Sequence, residues 1–292
     1  MRYTIKQFQT EYPDDDACLD RILEMRYGAD EIECPSCKRV SKFHRIAKRR
    51  AYACRHCGHH IYPCVGTPFE KSRTPLTLWF MAMYLMTSTR HGVAAKELER
   101  QLGVTYKTAW RMAHELRKLM AAADNHRPLS GVVEADEAYV GGKVKGHKGA
   151  LKNKTMLFGM VERDGPVRAG PVPHLWQINI QPHIKRNVQR GSVLVTDGSK
   201  LYSGIEKAPY QHHRVDHSAG EYVRDGVVHT NTIEGYWSRL KNSINGTHIH
   251  VSGKHLWKYT SEFSFRYNMR KEPGAMFGRL VEAFALPRLA DD

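Results

Sequence analysis

The sequence predicts an α/β protein built in pieces: helices and a small cysteine-bearing ribbon in the first half, a sheet with covering helices in the second. Three observations support this. Two Cys-x-x-Cys pairs, Cys34-Pro-Ser-Cys37 and Cys54-Arg-His-Cys57, are separated by sixteen residues. Apolar residues recur at helical spacing through residues 74–120, with a break at Gly103-Val104. From Val132 onward, short apolar or alternating runs separated by turn residues take over.

Taken in order, residues 1–30 read as a helical lead-in, with a helix starting near Asp14–Asp16, where acidic side chains suit the positive end of the helix dipole. Residues 31–66 are the ribbon. Four thiolates presented on two knuckles match a closed tetrahedral site, so Cys34, Cys37, Cys54 and Cys57 are assigned to one structural Zn²⁺. Cys18 and Cys64 fall outside the pattern and read as small buried apolar residues. In residues 74–124, Leu76–Met86 is core. A helix over Val93–Leu102, a tight turn and a second helix capped by Thr105 and running to Met120 then have the form of a helix-turn-helix. Lys107, Arg111, His114 and Lys118 share one face of the second helix, as on a recognition helix for the major groove. An ordinary helical hairpin is the alternative.

Residues 125–131 read as a linker into a second domain spanning 131–275, followed by a helical tail at 276–292. Strands are expected at Val132–Val140, Thr155–Arg163, Leu175–Ile180, Val193–Asp197 and His212–Val215. Helices are expected at Pro182–Arg190, Leu201–Lys207 and Asn231–Ile244.

Charge narrows the function. The 292 residues hold 45 Lys and Arg against 30 Asp and Glu, a net charge of +15, which points to a polyanionic partner. A membrane surface fits poorly, because the longest wholly apolar run, Leu78–Met86, has nine residues against the roughly 20 needed to span. No signal peptide opens the sequence, so a cytoplasmic, nucleoid-associated protein is expected. From Cys34 to Cys57 there are eight Lys/Arg and no acid, including Lys48-Arg49-Arg50, which suits contact with a nucleic-acid backbone. Gly141–Lys154, with Lys143 and Lys145, has five Lys and no acid. Tyr236–Lys258, with Arg239, has four Lys/Arg, two Trp and no acid, a mixture suited to distorted DNA ends. His212, His213, Asp216, His217 and the pair His248 and His250 read better as phosphate contacts or plain surface than as a second metal site.

The carboxylates carry the chemistry. Asp136 lies within an apolar strand and Asp197 ends another. An acid so placed is costly unless a cation offsets its charge, and Mg²⁺ does so while binding substrate phosphates. Glu134 and Glu137 are rivals to Asp136, and Glu134 shares its strand face. Glu234 opens the last long helix. With Asn231 as N-cap it also has the spacing of a simple capping box.

Several segments together resemble a known family. They are Cys34-Pro-Ser-Cys37, Tyr52-Ala-Cys54-Arg-His-Cys57-Gly, Glu134-Ala-Asp136-Glu-Ala-Tyr-Val-Gly-Gly-Lys143 and Val195-Thr-Asp197-Gly, followed by the run from His229 through Glu234 to Lys241 and by Glu262–Asn268. In this order, over residues 14–275, they resemble a DDE-type insertion-sequence transposase with an N-terminal zinc ribbon and an ISXO-two-like domain, of the family numbered fifteen ninety-five. The resemblance implies an RNase H-like catalytic domain in which Asp136, Asp197 and Glu234 bind two catalytic Mg²⁺ ions, replaceable by Mn²⁺. It also implies Lys241 on the same phosphate as Glu234, and a homodimer or larger assembly joining double-stranded element ends to target DNA. A DNA-binding regulator with an inert catalytic domain and a nuclease that cuts without joining are the competing readings.

Overall fold

The structure is a computed structural model, and it describes residues 3–28, 31–124, 127–142, 153–205, 208–215 and 229–286. The chain forms two compact units, one of residues 1–123 with 272–292, the other of residues 124–271.

The first unit opens with helices α1 (Ile5–Glu11) and α2 (Asp15–Tyr27). The Asp14 carboxylate accepts from the Ala17 amide at 2.8 Å and starts α2 where the acidic run predicts it. Helix α1, closed by a Thr4/Gln7 capping box, was not expected. The ribbon follows as short strands β1 (Ile32–Glu33), β2 (Val40–Ser41), β3 (Phe43–Arg45), β4 (Tyr52–Cys54) and β5 (His60–Ile61), with β1 pairing β2, and β4 between β3 and β5, all antiparallel.

Helices α3 (Leu76–Ser88), α4 (Ala95–Leu102) and α5 (Tyr106–Ala123) complete the helical region. Thr105 Oγ1 accepts from the Thr108 amide at 3.3 Å, so it caps α5 as expected. Pro75, at the start of α3, offers no side-chain cap. Asp15 of α2 supplies one instead, accepting from the Thr77 amide at 2.9 Å and its hydroxyl at 3.0 Å. Burial opposes the Asp15 charge, but these bonds and nearby Arg50 outweigh it and hold the carboxyl below its ordinary value. Residues 276–286 fold back as α9 (Met276–Glu282) and a short 3₁₀ turn. Phe277 meets Phe8 at 5.8 Å between ring centroids, and Phe284 meets Phe69 at 5.1 Å, so this segment is part of the first unit's core.

The second unit is a five-stranded mixed sheet. Strands β6 (Val132–Val140), β7 (Thr155–Glu162) and β8 (Val167–Pro171) form an antiparallel meander, while β9 (Val193–Asp197) and β10 (Gln211–Val215) run parallel to β6. The spatial order is β10-β9-β6-β7-β8, or 5-4-1-2-3 by sequence within the sheet. Helix α6 (Gln177–Asn187) packs Ile180 and Ile184 on one face, with Val133, Ala135 and Phe158. Helices α7 (Asn231–Ser243) and α8 (Gly253–Asn268) cover the other, where Ile233, Trp237, Leu240, Leu256 and Phe263 meet Ala138, Val140 and Leu157.

One strand expectation fails here. The third strand is Val167–Pro171, and Leu175–Ile180 instead runs into α6. The alternation Leu175-Trp-Gln-Ile-Asn-Ile180 mimics a strand, yet Ile178 is exposed and the buried residues Ile180, Ile184 and Val188 follow a four-residue period. The true strand is short, carries Gly170 and ends in Pro171, which an edge position tolerates. Its first residue is held by Asn268 of α8, which accepts from the Val167 amide at 2.7 Å and donates to its carbonyl at 3.1 Å.

Gly159 of β7 lies opposite Asp136 in the sheet. A Cβ built there would lie 2.6 Å from the Trp237 ring, so the missing side chain lets α7 settle directly on the strands. Gly159→Val is expected to destabilise the protein by about 1–3 kcal/mol, the usual cost of overpacking, read as a lower urea midpoint.

Candidate active site and zinc centre

The ribbon brings the four predicted cysteines together. Their sulfurs all lie within 4.8 Å of one another, the only such set of three or more His, Cys, Asp or Glu among the described residues. Cys34 Sγ is 3.6 Å from Cys57 Sγ, and Cys37 Sγ is 3.9 Å from Cys54 Sγ. A ZnS₄ tetrahedron with bonds of about 2.3 Å has edges of about 3.8 Å, so the cluster fits a structural zinc ion. Both knuckles use one turn. The Lys38 amide donates to Cys34 O and the Gly58 amide to Cys54 O, each at 2.9 Å, with Lys38 and Gly58 both at positive φ. Cys18 and Cys64 are buried elsewhere, and burial first of all pushes their thiols up to about 12 and about 11, which keeps them protonated.

The basic residues of the first unit divide. Lys48 and Arg49 are exposed on the turn between β3 and β4. Arg50 is not free to join them. Its guanidinium donates to Ser72 O at 2.9 Å and Thr74 O at 2.7 Å and lies 3.5 Å from Asp15. On α5, Lys107 and Arg111 are exposed beside Tyr106 and Trp110. Lys118 leaves this face: it is 4% exposed, with Nζ 3.0 Å from Glu115. Residues 112–120 are all buried because α5 packs against α3 and α4 and also against α9 and the 283–285 turn, contacts from the far end of the chain that no local pattern announces.

In the second unit the sheet register places the acids. Val195 of β9 pairs with Glu134 of β6, and two residues further along these parallel strands stand Asp197 and Asp136. Both are half-buried at the same end of the sheet. Asp197 accepts from the Ser199 amide at 3.0 Å. Glu234 is exposed on the first turn of α7, where it accepts from the Thr230 hydroxyl at 2.8 Å. The N-cap is Thr230, not Asn231, and Glu234 does not close a capping box.

The buried end of α7 is capped from the sheet. Glu134 has no exposed surface and accepts from the Thr232 amide at 2.8 Å, the Thr232 hydroxyl at 2.9 Å, the Ile233 amide at 3.1 Å and Arg163 Nε at 2.8 Å. His229 Nδ1 lies 3.3 Å away, and Arg163 also donates to His229 O at 2.9 Å. Glu134, a rival to Asp136 on sequence grounds, is therefore spent on the helix end, where the dipole also favours a negative charge.

Crowding marks Asp136. Its carboxyl is pushed up to about 6, mainly by burial and further by the charges of Asp197 and Glu234. The Glu137 amide opposes the rise, as does the Trp237 N–H, which lies near without completing a hydrogen bond. Glu137 points to the opposite face, where the Tyr202 hydroxyl donates to it at 2.7 Å. Burial raises its carboxyl to about 7 against that bond, with Asp197 and Asp136 adding to the rise. Lys241 and Arg239 are exposed further along α7. Lys143, Lys145, Asp216 and His217 lie outside the described residues.

A five-stranded sheet in the order 5-4-1-2-3, with its first three strands antiparallel, its last two parallel to the first and helices on both faces, is an RNase H-like fold. The family profile of the ISXO2-like transposase domain matches residues 128–268, and that of a transposase zinc-ribbon domain matches residues 13–60. The chain belongs to the IS1595 family of transposases. A Halobacterium salinarum protein described as an uncharacterized protein in transposable element ISH50 is 29% identical over 266 residues, 83% of this chain and 87% of that one. A Haemophilus influenzae protein described as an uncharacterized transposase-like protein is 24% identical over 100 residues, 33% of this chain and 76% of that one. Among solved structures, a pre-cleavage Mos1 transpososome aligns over 73% of this chain and 80% of that chain with 11% identity, but its TM-score of 0.22 carries no weight.

Two predictions follow from this chemistry. Cys57→Ser is expected to release zinc and to abolish amide protection across residues 31–66, because a closed thiolate site supplies folding energy; metal analysis and hydrogen exchange check both. Asp136 titrates near 3.8 when unfolded and near 6 when folded, so its charge weakens the Mg²⁺-free protein as pH rises through that window. Asp136→Asn should therefore gain on the wild type between about pH 4 and pH 7, by up to about 3 kcal/mol, with urea titrations at each pH as the measurement.

Proposed function

We propose that this chain is the transposase that cuts its own element's ends and joins them to target DNA. What supports this reading is that Asp136 on β6 and Asp197 on β9 stand at the same end of the sheet, and that their repulsion, with that of Glu234 on the first turn of α7, adds to burial in raising the Asp136 carboxyl, a cost that a bound cation would offset. These three residues would hold Mg²⁺. When bound, Mg²⁺ supplies activation of the attacking water or 3′-hydroxyl and stabilisation of the leaving oxygen.

The chain's own groups supply the rest. Asp136 sits in the middle of β6 and Asp197 at the end of β9, and the Glu134 cap fixes the start of the helix that presents Glu234. The reacting phosphate is thereby met in one geometry, which is where most of the advantage in phosphoryl transfer lies. Lys241, two turns beyond Glu234, offers its ammonium to the same strand of DNA. Lys48 and Arg49 of the ribbon contact phosphates, while Lys107 and Arg111, with Tyr106 and Trp110, face the terminal repeat. Joining two ends calls for at least two copies of the chain.

Cleavage of a labelled duplex carrying the terminal inverted repeat tests this. Asp136→Asn, Asp197→Asn and Glu234→Gln are each expected to drop Mg²⁺-dependent cleavage to background while DNA binding survives. Near-normal cleavage by Glu234→Gln would remove Glu234 from the set.

Specificity has its own test. Arg111→Ala is expected to weaken binding to the terminal repeat by about 1–3 kcal/mol and to random duplex by less. Equal losses in a competition assay would make Arg111 a phosphate contact only.

A further inference from the structure

Ile249 is the most exposed large apolar side chain among the described residues, at 83%. It also occupies a backbone conformation that a β-branched residue rarely adopts, with φ 62° and ψ −54°. The His250 amide donates to His248 O at 2.6 Å across it. An i→i+2 bond at these angles is the strained form of the γ-turn, in which glycine would rest more easily.

The turn is held from both sides. Ile244 before it and Val251 after it are buried in the core under α7 and α8. The His248 ring stands edge-on to Tyr259 at 4.8 Å. Just beyond, a Cβ at Gly253 would lie 2.6 Å from Thr155 Oγ1, so the segment is seated on the start of β7, which pairs with the end of β6 at Val140. A clamped, strained turn thus drives one apolar side chain into water, where it gains nothing in the isolated chain.

Its surroundings say what it meets. Residues 235–261 contain no acid, and Arg239, Lys241 and Lys254 are exposed. Ile249 follows Glu234 by fifteen residues on α7 and its wide π-helical extension, Ile244–His248. At about 1.5 Å per residue the separation is about 20 Å, or about six steps of a duplex rising 3.4 Å each.

We propose that Ile249 is a wedge that enters a base-pair step of the bound duplex, unstacking it about six base pairs from the cut phosphate while the flanking cations hold the backbone. Apolar side chains set among cations open and kink DNA in this way. The inference rests on the reading of the chain as a DNA-cutting transposase.

The test uses the full zinc-loaded protein in Ca²⁺, with element-end duplexes carrying 2-aminopurine at successive positions. Wild type is expected to raise fluorescence severalfold at one step and not at its neighbours. Ile249→Leu should keep the signal, and Ile249→Gly should lose it while the thermal midpoint stays level or rises, because the turn relaxes. A wild-type complex silent at every position would overturn the wedge. So would an undiminished signal from Ile249→Gly, or a lowered midpoint for it, which would mark a packing residue. Mg²⁺-dependent cleavage by the wild type is run alongside: its absence sinks the transposase reading, while silence in Ca²⁺ with normal wild-type cleavage sinks only the wedge.

Discussion

Glu134 stands in the middle of a strand with its side chain wholly enclosed, and four hydrogen bonds from Arg163, Thr232 and Ile233 end on its two oxygens. A buried carboxylate with fewer partners would be a defect; with these it becomes a pin. It ties the start of α7 to the strand that carries Asp136 two residues later. The position of Glu234 relative to Asp136 and Asp197 follows from that tie. Gly159 adds the second constraint, since the indole of Trp237 fills the space that a side chain would take. Cap and close approach together fix both the height of the helix over the sheet and its register along it.

The first unit uses the same device. Helix α3 begins at a proline that cannot cap it, and Asp15 reaches across from α2 to do so. In both units a helix whose own first residues leave amides unpaired is completed by a carboxylate from a distant element. Such a contact is informative only after folding. It gives each unit a tertiary interaction that disappears as a whole if either element shifts, which favours a single arrangement over near alternatives.

The limits of the sequence follow from this. The cysteine cluster was legible because its chemistry lies in local spacing, and the strand-end position of Asp197 because an acid terminating an apolar run is conspicuous. Glu134 and Asp136 share a strand face, so alternation alone could not say which of them caps a helix. Knowing which one meets the N-terminus of α7 requires the packing of a helix about a hundred residues away. Arg50 and Lys118 failed for a related reason. Each looks like a surface cation in its own segment, yet residues 72–74 enclose one and the packing of α5 on α9 the other. The wrong third strand came from Ile178, an apolar residue whose exposure breaks the rule that periodicity relies on.

The return of residues 276–286 to the first unit has a consequence in time. The aromatic cluster of Phe8, Tyr12, Phe80 and Phe69 needs Phe277 and Phe284 to be complete. Those two rings leave the ribosome only after all of residues 124–271 have been made. The second unit is contiguous and can fold as it emerges, whereas the unit whose synthesis starts first must wait for the far side of an insertion. A nascent chain stalled inside the sheet domain therefore displays an open apolar core at its older end, and folding proceeds in the reverse of the usual vectorial order.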